Sequence, residues 1–176
     1  SNSPDLDEYW GKTSLYLQML GEATSTTFTD RTGRHTVTPT STAIVDYITT
    51  PTTLCEYAEF NGSTSRLVVT SNLSDFAFGT GDLTMDIHAQ ATSGSGTGVI
   101  IDCDGTEPWS VEHLSGKVIF KNSSGTVLTS TSNVSTTVMD NISICRVGTT
   151  IKLFFNGAVE DSATDSTDYN GTVTDL

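Results

Sequence analysis

Between Asp82 and Gln90 the sequence alternates without a break: Leu83, Met85, Ile87 and Ala89 are apolar, while Thr84, Asp86, His88 and Gln90 are polar. A period of two requires an extended strand with one face in a core and the other in water. Such a face needs a second apolar layer to cover it. The rest of the chain offers that layer in short pieces: SLYLQML (14–20), HTVTP (35–39), TAIVDY (42–47), TLCEYAEF (53–60), SRLVVT (65–70), the run VIID (99–102), WSVEH (109–113), GKVIFK (116–121), TVLTS (126–130), NISICRV (141–147) and TIKLFFNG (150–157). VIID reads as a buried strand. Asn61-Gly62 and Asn156-Gly157 carry the tight-turn signal of hairpins, and NISICRV is expected to pair with TIKLFFNG. About eleven short strands, separated by turns at sandwich spacing and with no helix of three turns, predict an all-β sandwich or jelly roll. No repeat of solenoid period occurs.

Composition agrees. The chain has 176 residues, 53 of them Ser or Thr. That length fits one domain, and that bias disfavours helix, because Thr is stiff at χ1 and Ser competes for backbone hydrogen bonds. Eight Lys and Arg face 21 Asp and Glu, for a net charge of -13. Such a surface repels phosphate, so nucleic-acid binding is excluded. No apolar run reaches the ~20 residues of a spanning helix, so membrane insertion by one is not expected. SNSPDLDEYW has neither the basic start nor the apolar stretch of a signal peptide. Cys55, Cys103 and Cys145 are widely spaced with no CxxC, which indicates neither a zinc site nor a disulfide framework; one disulfide stays open. Cys145, inside ISICR, reads as a small buried residue.

SLYLQML with the following GEATSTTFTDRTGRHTVT, YAEFNGSTSRLVV, SDFAFGTGDLTMDI and GTTIKLFFNGAVEDSATDSTDYNGT occur in that order. Together they resemble the laminin-G-like members of the concanavalin A-like lectin/glucanase superfamily, in the versions that recur in tailed-phage and marine viral structural proteins. The likeness runs over residues 14–172, and its most specific parts are Asp75–Asp82 and Phe154–Gly157. It implies a concanavalin A-like jelly-roll β-sandwich of two antiparallel sheets over 13–176, preceded by a polar arm at 1–12. It further implies a non-catalytic virion surface protein (a phage head decoration, fibre or tail-appendage domain) that acts in particle structure or glycan attachment. Its partners would be other coat proteins, further copies of itself and cell-surface glycans. The alternative is a secreted calcium-dependent carbohydrate-binding module. The chain departs from the family at Leu20-Gly21, where an acidic residue is common, and at Met139-Asp140-Asn141-Ile142, where a Trp-His-His segment is common. The family also continues for one or two strands past the position of Leu176. The last strand is therefore expected from a longer chain or from a neighbouring copy.

Few residues point to chemistry. Glycoside hydrolysis needs two carboxyls at fixed separation, and the glucanase pattern Glu-x-Asp-x-(x)-Glu is absent. Glu56 and Glu59 fall on opposite faces of a strand. Asp102 and Asp104 share a face with Glu107 nearby, although an acidic turn before Gly105 is the simpler account. The same two aspartates are the metal candidates, for calcium. Asp161, Asp165 and Asp168 form a second acidic stretch, with a solvated loop as the simpler account. For carbohydrate, Trp109 is the aromatic candidate, with Glu112 and His113 nearby; alternation puts Trp109 and His113 on one face, and a core role for Trp109 fits equally well. His35 and His88 stand apart, His88 on the polar face of its strand. Gly-x-Ser-x-Gly is missing, and Gly11-Lys12-Thr13 lacks the glycine of a phosphate loop. Asn61, Asn72, Asn122, Asn133, Asn141 and Asn170 each begin an Asn-x-Ser/Thr sequon, a pattern that hairpin chemistry in a Ser/Thr-rich chain also produces.

Overall fold

The computed structural model describes residues 12–19, 24–41, 43–50 and 53–176. The arm expected at 1–12, apart from Lys12, and the Leu20-Gly21 turn lie outside the described residues. The chain divides into two compact units, Ser1–Asp75 and Phe76–Leu176.

In the first unit β1 (Leu17–Gln18) pairs antiparallel with β2 (Thr29–Asp30). β3 (Val37–Thr40), β4 (Ile44–Thr50), β5 (Thr53–Glu59) and β6 (Arg66–Val69) form a nested ribbon. β4 pairs with β5 from Ile44↔Glu59 to Thr50↔Thr53, and β3 pairs with β6 from Val37↔Val69 to Thr40↔Arg66. The expected hairpin at Asn61-Gly62 is therefore corrected, because the segments on either side of it pair with different strands. Asn61 Oδ1 accepts the N–H groups of Ser63, Thr64 and Ser65 at 3.0, 2.9 and 2.9 Å, and Gly62 has φ +68°. The Asn-Gly signal thus builds an Asx-type excursion between two strands of a ribbon. Phe28 and Ala43 are buried, with Met19, Val37, Ala58 and Leu67 packed on them.

The second unit holds the sandwich. β7 (Leu83–Ala89), β12 (Asp140–Val147), β13 (Thr150–Phe155) and β14 (Ala158–Thr164) make a four-stranded sheet in the order β14-β13-β12-β7. β8 (Thr97–Gly105), β9 (Trp109–Leu114), β10 (Lys117–Asn122), β11 (Gly125–Thr129) and β15 (Val173–Asp175) make a five-stranded sheet in the order β11-β10-β9-β8-β15. Every pairing is antiparallel. The alternation at 82–90 is β7, and NISICRV pairs with TIKLFFNG as β12 and β13. Phe155↔Ala158 closes a two-residue turn in which Asn156 and Gly157 have φ of 49° and 81°, both left-handed as a type I′ turn requires. β15 pairs with β8, so the last residues of the sequence occupy that sheet edge. Leu83, Met85, Ile142, Ile144, Ile151, Leu153 and Phe155 from one sheet, and Val111, Val118, Phe120 and Leu128 from the other, are buried. The fold is an antiparallel β-sandwich of the jelly-roll class.

Two expectations about burial fail. Val99, placed in a buried run, is 58% exposed, because the register shifts between Val99 and Ile101 and breaks the alternation there. Cys145 is half-buried rather than buried, and parity explains this: Ile142, Ile144 and Arg146 point inward on β12, so Ser143 and Cys145 point outward. The buried thiol is Cys103, and neither it nor Cys145 is in a disulfide; the Cys55 side chain lies outside the described residues.

Candidate functional site

The start of β9 decides where the candidate residues go. Trp109 stands opposite Cys103 on β8 and Asn122 on β10, and Ser110 stands opposite Asp102 and Lys121. Pleating therefore sends Trp109, Val111 and His113 to the inner face and Ser110 and Glu112 to the outer one. Asp102, Pro108, Trp109, Ser110, Lys121 and Asn122 line a small cleft of about 170 Å³. This is below the roughly 300–1,000 Å³ of drug-sized sites, so it takes a small polar group or one ring of a longer ligand.

Trp109 is 4% exposed and packs on Phe78 with ring centroids 5.4 Å apart and planes at 33°. It is a core tryptophan and not an exposed platform. Its Nε1–H is nonetheless buried with no hydrogen-bond partner among the described residues. An unmet buried donor costs about 1–3 kcal/mol and is uncommon in folded proteins. His113 follows Trp109 on the inner face, as alternation predicts, and its Nε2 is likewise buried without a partner among the described residues. Glu112 projects from the opposite face and takes Lys121 Nζ at 2.6 Å and Ser110 Oγ at 3.0 Å. The Lys121 hydrogen bond is the main reason its carboxyl titrates below the usual range; burial opposes this and the Ser110 hydroxyl assists it. Trp109, Glu112 and His113 are thus not brought to one place; Trp109 and Asp102 line one cleft, although the register puts them on opposite faces of the sheet.

Asp102 and Asp104 share the outer face of β8 on either side of buried Cys103. Burial, then the charges of Asp102 and Asp104, push the Cys103 thiol up to about 12. Among the described residues no three His, Cys, Asp or Glu side chains are grouped to hold a metal ion. Two carboxylates fall short of the 6–8 oxygens calcium takes. Asp161, Asp165 and Asp168 diverge as well: Asp161 accepts the Thr129 N–H at 2.8 Å, Asp165 is buried, and Asp168 accepts the Asn170 N–H at 3.1 Å.

A second groove of about 350 Å³ shares Asn122 with the cleft and is lined mostly by small and hydroxyl-bearing residues, Ser124, Thr126, Thr164, Ser166 and Thr167 among them, with Asp165. Asn122 is the ridge between them. Its Nδ2 donates to Thr167 Oγ1 at 3.0 Å, and its Oδ1 accepts the Ser124 N–H at 2.9 Å.

Two residues of this groove, Asp165 and Thr167, are held by Arg146, which sequence reading missed. Arg146 is 1% exposed. It donates to Gly79 O at 2.8 Å, to Gly81 O at 2.7 and 3.0 Å, to Thr167 O at 3.0 Å and to Asp165 Oδ2 at 3.3 Å. Its guanidinium lies 4.9 Å from the Tyr169 ring centroid, and the Tyr169 hydroxyl donates to Asp165 at 3.0 Å. Burial raises the Asp165 pKa, but the hydrogen bonds from Thr167 and Tyr169 and the Arg146 charge outweigh it and hold the carboxyl low. The signal was available: an arginine at the inward parity of Ile142 and Ile144. A second missed cluster lies in the first unit. There Asp30 Oδ2 meets His35 Nδ1 at 3.0 Å, and Asp75 Oδ2 lies 3.4 Å from His35 Nε2 and 2.6 Å from Arg34. Asp30 also accepts the N–H groups of Tyr16, Thr32, Arg34 and His35, which organises the 30–35 turn.

The sequon asparagines are mostly employed in the fold. Asn72 Nδ2 donates to Arg34 O, and Asn141 Nδ2 lies 3.3 Å from His88 Nε2. Asn61 and Asn122 hold turns as above, while Asn170 is exposed.

No protein-family model matches the sequence, and no curated protein matches it. Among solved structures, the fold is similar to a crystal structure of a mutant of HCR D/C VPI 5995, with a TM-score of 0.66 and 13% identity over 95% of this chain and 42% of that one. The present chain thus spans less than half the length of that one. A carbohydrate binding module, CBM66 from Bacillus subtilis, matches with a TM-score of 0.44 and 12% identity, over 80% of this chain and 86% of that one. The fold likeness rests on the first.

Proposed function

We propose that this chain is a non-catalytic carbohydrate-recognition module that binds glycan at the Trp109 cleft, with the hydroxyl-lined groove beyond Asn122 as the path of a longer chain. The observation that carries this reading is that Trp109, whose Nε1–H is buried with no hydrogen-bond partner among the described residues, lines a cleft together with residues that carry a carboxylate, an ammonium, an amide and a hydroxyl. A sugar hydroxyl is both donor and acceptor, so one ring can satisfy the indole N–H and its neighbours together. The non-catalytic part is supported by how the carboxylates are used: Asp165 pairs with Arg146, Glu112 with Lys121, and Glu160 and Asp161 accept backbone N–H groups. With two carboxylates at Asp102 and Asp104, the reading expects recognition that persists in a chelator. A place on the surface of a virus particle is the extension that the likeness of Asp75–Asp82 and Phe154–Gly157 supports; a secreted module is the other setting for the same cleft.

The test is the indole resonance. In a Trp10→Phe background, ¹⁵N-labelled protein has a single indole N–H, that of Trp109. Titration with neutral oligosaccharides selected on an array is expected to move it in step with Asn122 and Ser110. A glycan that binds tightly without moving it places the site elsewhere and overturns the assignment.

A further inference from the structure

The cleft also has a means of choosing ligand charge, and this inference rests on the carbohydrate reading above. Lys121 is the one cation among the described residues that line the cleft, and its side chain is 35% exposed. The strand register puts Lys121 directly across from Ser110, with Asp102 on the far side of Ser110. Lys121 Nζ nevertheless lies 2.6 Å from Glu112 Oε2, on the residue two further along β9. Ser110 Oγ donates to the other Glu112 oxygen at 3.0 Å, so Glu112 is held from two sides. A rotamer-rich lysine tip would otherwise serve any anion entering the cleft.

We propose that Glu112 is a specificity-determining residue: by holding Lys121 it removes the cleft's one positive charge from ligand recognition, so neutral glycans are bound in preference to sulfated or uronate-bearing ones. A sulfate or carboxylate at the cleft meets the Asp102 carboxylate and a lysine already neutralised, on a chain of net charge -13. Its approach must either take Lys121 from Glu112 or go uncompensated. A hydroxyl meets no such cost, since the indole N–H, the Ser110 hydroxyl and the Asn122 amide are neutral. Specificity here comes from a withheld attraction as much as from the hydrogen bonds made to the preferred ligand.

The experiment uses matched pairs of neutral and sulfated oligosaccharides on one array, probed with the whole chain, with Glu112→Gln and with Lys121→Gln, each checked for an unchanged melting temperature. The readout is the ratio of neutral to sulfated binding within each protein. The parent is expected to favour the neutral member. Glu112→Gln keeps the side-chain shape, frees the ammonium and lowers the ratio by about fivefold, the upper size of a part-exposed ion pair. Lys121→Gln leaves Glu112 uncompensated and moves the ratio the other way. Opposite movement is what charge selection requires, since a structural role would weaken both ligands together in both variants. The proposal is overturned if the parent prefers the sulfated member, if both variants move the ratio in the same direction, or if neither moves it. A parent that binds no glycan removes the carbohydrate reading and the gate with it, an outcome distinct from neutral glycans that bind at an unmoved ratio.

Discussion

Replacing Arg146 by methionine removes the one guanidinium that connects the Gly79–Gly81 turn to the segment after β14, while keeping an apolar chain of similar reach. The guanidinium donates five hydrogen bonds to four residues, three of them through backbone carbonyls. Gly79 O retains the Tyr169 N–H at 3.0 Å, and Asp165 retains Tyr169 and Thr167. Gly81 O and Thr167 O lose their Arg146 donors, and Asp165 stays ionised without a counter-charge. Breaking a buried ion pair from one side costs about 3–5 kcal/mol. At about 2–4 °C per kcal/mol for a chain of this length, the melting temperature should fall by roughly 6–20 °C. Urea unfolding followed by Trp109 fluorescence in a Trp10→Phe background reads the unit concerned. Adding Asp165→Asn removes the stranded charge, so the double variant should recover about 1–2 kcal/mol relative to Arg146→Met alone. The reasoning fails if Arg146→Met costs less than about 1 kcal/mol, the size of an ordinary substitution, or if the double variant is no more stable than the single.

Asp30 and Asp165 both titrate below the ordinary carboxylate range in the folded chain, so each contributes stability that is complete above the unfolded value near ~3.9 and is lost as pH falls through the folded value. Urea midpoints should therefore drop steeply below about pH 4, and Asp165→Asn should flatten that limb; an unchanged acid limb in the variant would contradict the assignment. Gly105→Ala would put a Cβ into the Thr172 carbonyl, so β15 should leave β8, seen as fast hydrogen exchange at Thr106 N–H, whose acceptor is Thr172 O at 3.1 Å. With Cys55 replaced by Ser, a thiol reagent at mildly alkaline pH should label half-buried Cys145 first, because Cys103 is buried with its thiol pushed up to about 12. Equal labelling rates would refute the burial argument.

The strands of the second unit could be read directly, because period-two alternation and left-handed turn residues act locally: β7, the β12–β13 pair and the Asn156-Gly157 turn follow from neighbours in sequence. The nested ribbon could not. Asn61-Gly62 fits a hairpin equally well as text, and only the long-range pairing of β3 with β6 shows that it does not close one. Binding chemistry was harder still. Trp109 and Asp102 can be picked out by residue type, but their lining of one cleft depends on the β8–β9 register, which a shift at Val99–Ile101 interrupts. Arg146 broke the inward apolar pattern of β12 in plain sight, yet its partners lie 65 residues before it and about 20 after it. Glu112 looked like a ligand-facing acid until pleating placed it against Lys121.

Glycan recognition at the Trp109 cleft is tested most directly by an array screen of the folded chain beside Trp109→Phe, each with and without chelator. Phenylalanine keeps a ring against Phe78 and deletes the N–H. The account predicts binding of neutral glycans by the parent, undiminished by chelator and weakened about two- to tenfold by the substitution, the range of one hydrogen bond. A blank array with a well-folded parent contradicts the carbohydrate reading, and equal binding by both proteins contradicts the cleft.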